Sequence, residues 1–188
     1  MKNQDKTALL VMDMQIGIVS RFPENESLLL PFQKAVEAAR RCGIPVIFVR
    51  LAFQPGYPDV SPHNKAFSAL TGLGGMTFSD PATQIHESFQ PQSDEIVIAK
   101  RRFSAFTGSD LEIILRSRQI DTLVLSGIST SGVVLSTLRE AADKDFKLTV
   151  LSDACLDGDP EVHRVLTENV FPRQADVLTV DAWIDTLD

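Results

Sequence analysis

The chain has 188 residues, 44% of them hydrophobic, with a formal net charge of −7 and a pI near 4.9. That length and apolar content suit a single domain over residues 1–188 with a substantial core, and the acidic balance argues against nucleic acid or an anionic membrane surface as the main partner. The first apolar run meets Asp13 too soon for a signal peptide or membrane span, so the expected location is cytoplasmic, and two cysteines, Cys42 and Cys155, set no disulfide framework.

Ala8 to Met12 reads as a buried strand, with Asp13 at its C-terminal end and Gln15 just beyond. After a loop containing Arg21, Phe22 and Pro23, the residues Phe32, Ala35, Val36, Ala39 and Cys42 recur at helical intervals, and Gly43 closes that helix. Pro45 to Leu51 is the second strand, which makes Ala8 to Leu51 a βαβ unit with parallel pairing. From Ala52 to Asp80 prolines and glycines break the pattern, leaving a helical turn or two near Asn64 to Leu70. The glycines from Gly72 to Gly75 lack the strand and helix that flank a nucleotide-binding loop, so the stretch reads as a cover loop. Its Phe53, Tyr57, Phe67, Leu70, Leu73, Met76 and Phe78 carry more apolar surface than a solvated loop exposes, so part of it packs on a pocket or on another subunit.

Glu95 to Ala99 is the third strand and ends at Lys100; Ser109 then reads as a helix N-cap, with Glu112 in the capping-box position. Thr122 to Ser126 is a fourth strand that breaks at Gly127. Thr130, Ser131 and Gly132 start a helix that continues through Val134, Leu138, Ala141 and Ala142. Lys147 to Ser152 is a fifth strand, Pro160 opens a further helix, and Val177 to Val180 is a sixth strand. Strands alternating with helices imply a parallel sheet covered on both faces, a three-layer α/β/α domain.

Asp13, Lys100 and the turn from Gly127 to Val133 all end strands, and in an open parallel sheet that edge is where ligands bind. A strand-to-helix turn aims unpaired N–H groups and the positive end of the helix dipole at one point, which favours an oxyanion or an anionic ligand. A carboxylate and an ammonium sharing a desolvated pocket each favour the other's charged form. Taken singly, Asp13 reads as a turn former and Lys100, beside Arg101 and Arg102, as part of a solvated basic face.

LLVMDMQ with Asp13 and Gln15, IVIAKRRFSAF with Lys100, Ser104 and Phe106, and GISTSGVV from Gly127 to Val134 resemble, in order and over nearly the whole chain, the isochorismatase-like (cysteine) hydrolases. The resemblance implies a strand order of 3-2-1-4-5-6, Asp13 as the acid or base, and Lys100 as the group that stabilises charge. It also implies oxyanion donors in the turn Ser129, Thr130, Ser131, Gly132 and Val133, a cis peptide at Ser129–Thr130, and a homo-oligomer. Gln15, Phe22, Tyr57 and Phe106 are expected to line the substrate pocket. No cofactor is expected, and no metal, because only His63 lies within reach where metal-binding relatives carry further ligands, and His86 and His163 lack partners at ligand spacing.

Val133 stands where the cysteine hydrolases carry their nucleophile, and a valine side chain has no atom that can attack an acyl carbon. Ser129, Thr130 or Ser131 could replace it, with Asp157 and His163 downstream in serine-hydrolase order, although Gly127 to Ser131 falls one residue short of the G-x-S-x-G elbow. Cys155, just past the fifth strand, sits on the same edge. Isochorismatases resemble this fold without the cysteine and use the Asp as a general acid on an enol ether, with a glycine where this chain has the bulkier Val133. Two readings therefore stand. One is a hydrolase of a small enol ether, amide or carbamoyl compound without a cysteine nucleophile; the other is a non-catalytic small-ligand-binding protein on the same fold.

Overall fold

Thr7–Met12 forms strand β1, and its side chains divide by parity. Ala8, Leu10 and Met12 enter one apolar cluster, while Leu9 and Val11 enter another on the opposite face. A strand buried on both faces is central in its sheet, which is why its sequence is continuously apolar. The remaining strands are β2 (Val46–Leu51), β3 (Ile96–Lys100), β4 (Thr122–Ile128), β5 (Lys147–Leu156) and β6 (Asp176–Leu178). In this computed structural model, which describes residues 6–22 and 26–187, all six pair in parallel in the order β3-β2-β1-β4-β5-β6. The order agrees with that implied by the family resemblance; Pro23 lies outside the described residues.

The helices are α1 (Ile16–Val19), α2 (Glu26–Arg41), α3 (Lys65–Gly72), α4 (Leu111–Ser117), α5 (Leu135–Asp143), α6 (Pro160–Val165) and α7 (Val180–Asp185). On one face α2 contributes Phe32, Ala35, Val36 and Ala39, and α7 contributes Val180 and Trp183. On the other, α4 contributes Leu111 and Leu115, and α5 contributes Leu138 and Ala141. The result is the three-layer α/β/α arrangement, with the strand C-termini gathered along one edge.

Several boundaries differ from the sequence reading. β4 does not break at Gly127 but passes through it to Ile128, because the glycine lies so close to β1 that a Cβ there would sit 2.5 Å from the Met12 carbonyl oxygen. β5 runs past Ser152 to Leu156 through a register shift that pairs Gly127 with Cys155, so Cys155 is inside the strand rather than beyond it. β6 ends at Leu178, and Val180 instead opens α7, whose first turn is capped by the Thr179 hydroxyl accepting from the Ala182 N–H at 3.2 Å. The helix after Lys100 starts at Leu111 with Asp110 in the N-cap position; Ser109 accepts from the Leu111 N–H, and Glu112 pairs with Lys144 at 2.7 Å instead of closing a capping box. The stretch after β2 is ordered around α3 and a parallel bridge between Phe53 and Thr77, with Leu51, Phe53, Phe67 and Met76 forming a small apolar cluster of their own.

Candidate active site

β1 delivers Asp13 immediately after Met12, with its N–H donating to the Val49 carbonyl at 2.8 Å and its φ at 59°. Few non-glycine residues occupy that left-handed region, and it turns the carboxylate off the line of the strand. β3 delivers Lys100, in register with Leu51 of β2. β2 lies between β3 and β1, so the two side chains meet over the end of β2, with Lys100 Nζ 2.9 Å from Asp13 Oδ2. The same Nζ donates to the Arg102 carbonyl at 2.9 Å. Both side chains are almost wholly buried. Burial holds the Asp13 carboxyl above its ordinary value, and the charge and hydrogen bond of Lys100 oppose that shift without cancelling it. Asp13 Oδ1, equally buried, has no hydrogen-bond partner among the described residues.

β4 delivers the turn. Thr130–Val134 forms a single π-helical turn that leads into α5. The cis peptide is at Ile128–Ser129, one residue before the expected Ser129–Thr130. Two of the expected oxyanion donors are already engaged: the Gly132 N–H donates to the Ser129 carbonyl at 3.2 Å, and the Ser131 N–H to Asp157 Oδ2 at 2.7 Å. Thr130 Oγ1 lies 2.8 Å from His163 Nδ1. His163 thus meets a threonine and Asp157 a backbone amide, so the residues in serine-hydrolase order are used to tie the turn to the β5–α6 connection.

These elements enclose a cavity of about 610 Å³, inside the range of ordinary small-molecule sites. Asp13, Lys100, Phe22, Ser129, Gly132 and Val133 all line it, so residues from three distant motifs meet on one cavity wall. Thr130 and Ser131 belong to the turn but are not on the wall. Three expected pocket residues lie elsewhere. Gln15 is fully buried and bridges backbones: its Nε2 donates to the Leu51 and Thr83 carbonyls at 2.9 Å each, and its Oε1 accepts from the Leu51 N–H at 2.7 Å. Phe106 packs in the core against Phe146, because the chain after Lys100 turns inward there. Tyr57 packs on Phe53, and its hydroxyl accepts from the Met76 N–H at 3.3 Å.

Phe67, Leu70 and Met76 of the cover segment do line the cavity, which answers where that apolar surface goes. Arg21, Phe103 and Asp157 also reach it, and the sequence offered no signal for Phe103 beyond its place after Lys100. The Phe103 ring lies 4.8 Å from that of Phe67. Neither cysteine is on the wall; burial pushes the Cys155 thiol up to about 12. Among the described residues no group of three or more His, Cys, Asp or Glu is placed to hold a metal ion, and no helix is long and apolar enough to cross a membrane.

The Isochorismatase domain matches residues 7–182. The chain is similar to the isochorismatase family protein YecD of Escherichia coli O157:H7, with 33% identity over 98% of each chain. It is similar also to the ureidoacrylate amidohydrolase RutB of Pseudomonas savastanoi pv. phaseolicola, with 30% identity over 97% of this chain and 81% of that one. Its fold superposes on the crystal structure of N-carbamoylsarcosine amidase from Thermoplasma acidophilum with a TM-score of 0.76 and 28% identity, covering 94% of this chain and 97% of the other. With the domain matched over that length and YecD covered almost end to end, the chain belongs to the isochorismatase family.

Proposed function

We propose that the protein is a hydrolase of a small molecule carrying an enol ether, amide or carbamoyl group, and that Asp13 acts as its general acid and base without a cysteine nucleophile. The observation that carries this reading is the state of Asp13: buried in the cavity wall, raised above the ordinary carboxylate range, fixed at Oδ2 by Lys100 and unpartnered at Oδ1. A buried carboxyl held at one oxygen by a cation has its other oxygen free to exchange a proton with a ligand.

An enol ether suits the site best. Asp13 protonates the terminal alkene carbon, and the charge that develops on the adjacent carbon is met by water. The carboxylate takes the proton that water releases, and the hemiketal collapses to a ketone and an alcohol. For amide and carbamoyl substrates, the classes brought by the names of RutB and N-carbamoylsarcosine amidase, Asp13 would instead deprotonate the attacking water. That route needs donors for an oxyanion, and the Ser131 and Gly132 amides are engaged elsewhere. Val133 supplies no nucleophile, and the Cys155 thiol, pushed up to about 12, stays protonated at neutral pH. A cytoplasmic location and, from the family resemblance, a homo-oligomeric state belong to the same proposal.

The test is a screen of enol ethers, amides and carbamoyl compounds with the parent and with Asp13→Asn. Turnover by the parent that the variant lacks supports the proposal. If both proteins are inert while a compound still raises the melting temperature, the site binds without catalysis.

A further inference from the structure

A second cavity, of about 320 Å³, opens at the edge of the sheet opposite to Asp13 and Lys100. Thr122, Lys147 and Asp176, the first residues of β4, β5 and β6, line it, and α7 lends it Trp183. Two polar side chains on its wall are more than nine-tenths buried. Thr149 is 9% exposed and Trp183 4%, yet neither the Thr149 hydroxyl nor the Trp183 indole N–H has a hydrogen-bond partner among the described residues. Asp13 Oδ1 is the one fully enclosed, unpartnered side-chain atom among those residues, so these two groups keep some accessible surface, and the cavity is what they line. Thr149 follows the alternation of β5, with Leu151 on the same face and Val150 on the other. Valine has its shape without the hydroxyl and stands beside it on β4 as Val124, so a threonine here carries a desolvation cost that an apolar residue would avoid. A buried tryptophan ordinarily sets its N–H on an acceptor. Ile44, Val124 and Leu178 make the wall otherwise apolar.

We propose that this cavity is a second ligand site, for a small neutral molecule with an apolar body and a carbonyl group. The body lies against the indole, Ile44 and Leu178, and the oxygen accepts from Trp183 and Thr149. A carbonyl oxygen has two lone pairs and can take both bonds, which relieves two unmet donors at once. Lys147 and Asp176, both exposed, put one charge of each sign on the wall, so the site favours neither anions nor cations. The volume is far more than the roughly 30 Å³ of a single structural water and reaches the lower end of small-molecule sites. The site stands apart from the reaction proposed for the Asp13 cavity, with which it shares no lining residue.

Trp183 is the only tryptophan in the chain, so its fluorescence reads this cavity and not the one at Asp13. The experiment titrates the full chain with ε-caprolactam, a neutral lactam that does not absorb where tryptophan is excited. The parent should show a saturable change in emission with a Kd of about 1 mM, the affinity that about eight non-hydrogen atoms supply at modest ligand efficiency. Thr149→Val should bind about fivefold more weakly, the loss of one neutral hydrogen bond, and should melt no lower than the parent because the unpaired hydroxyl goes with it. Thr149→Ser should keep the parent affinity within about twofold. Asp13→Asn should bind the lactam at Trp183 as the parent does. A response that never saturates, an unchanged affinity in Thr149→Val, a Thr149→Val that melts below the parent, or a response lost in Asp13→Asn overturns the proposal. The last of these places the lactam in the Asp13 cavity.

Discussion

Asp13 Oδ2 and Lys100 Nζ meet at 2.9 Å from the ends of two strands that have a third between them. The contact staples β3 to β1 across β2 in a region with almost no water, so each charge is tolerated only in the presence of the other. Lys100→Met should therefore destabilise the protein by about 3 kcal/mol, because it strands a buried carboxyl. The double variant Asp13→Asn/Lys100→Met should recover part of that loss. Urea unfolding of the parent, the singles and the double measures the coupling, and additive losses would show that the pair is not a unit.

The direction of the Asp13 shift sets a pH dependence. Burial raises the carboxyl above 3.8, so between that value and its folded value the native state holds a proton that the unfolded chain has released. Unfolding free energy must then fall as pH rises through this window, with the penalty absent at lower pH and fully present above the folded value. Asp13→Asn should flatten that part of the stability profile. Turnover that uses Asp13 as an acid should decline over the same window, and a rate that instead rises there would reverse the assigned role.

Gln15 is a strut, with both ends of its amide on backbone. Gln15→Leu should remove the Gln15 partner from the Leu51 N–H and from the Leu51 and Thr83 carbonyls, the last keeping only Arg50 Nη1 at 3.3 Å, at a loss of about 3 kcal/mol. Denaturant midpoints check the magnitude. Because the side chain is not on the cavity wall, binding of a ligand by the fraction that remains folded should be little changed.

Val133 lines the cavity at the start of a helix, and Lys100 lines the same cavity. Val133→Cys should place a thiol where the helix dipole and Lys100 both favour the thiolate, and it should react with iodoacetamide below the ordinary thiol value of about 8.5. Adding Lys100→Met should slow the alkylation. An introduced thiol that stays inert in a folded protein, or that ignores Lys100, would break the link between the turn and the buried pair.

The fold was legible because the central strands are apolar enough to be buried on both faces and the longer helices carry a spaced apolar stripe. Asp13 and Lys100 were legible for a related reason: parallel strands place their C-terminal ends on one edge, whatever their distance in sequence. The errors fall where tertiary contacts decide. Gly127 looks like a break, yet it is the only residue that fits against Met12, so the strand passes through it. Gln15 sits two residues from Asp13, but its amide turns to the backbone of Leu51 and Thr83, and no periodicity encodes that. Phe106 belongs to the Lys100 motif and still ends in the core on Phe146. The six residues of α7 are too few for a periodic signal, although Trp183 completes one face of the core.

The central claim is that Asp13, and no cysteine, carries the reaction. It is tested most directly by measuring turnover of the best compound from the screen in the cysteine-free variant Cys42→Ser/Cys155→Ala beside Asp13→Asn. The cysteine-free protein should keep the parent rate and be untouched by iodoacetamide, while Asp13→Asn, folded and still binding the compound, should lose at least about two orders of magnitude in kcat. Activity that vanishes with Cys155, or that persists without the Asp13 carboxyl, would contradict the account.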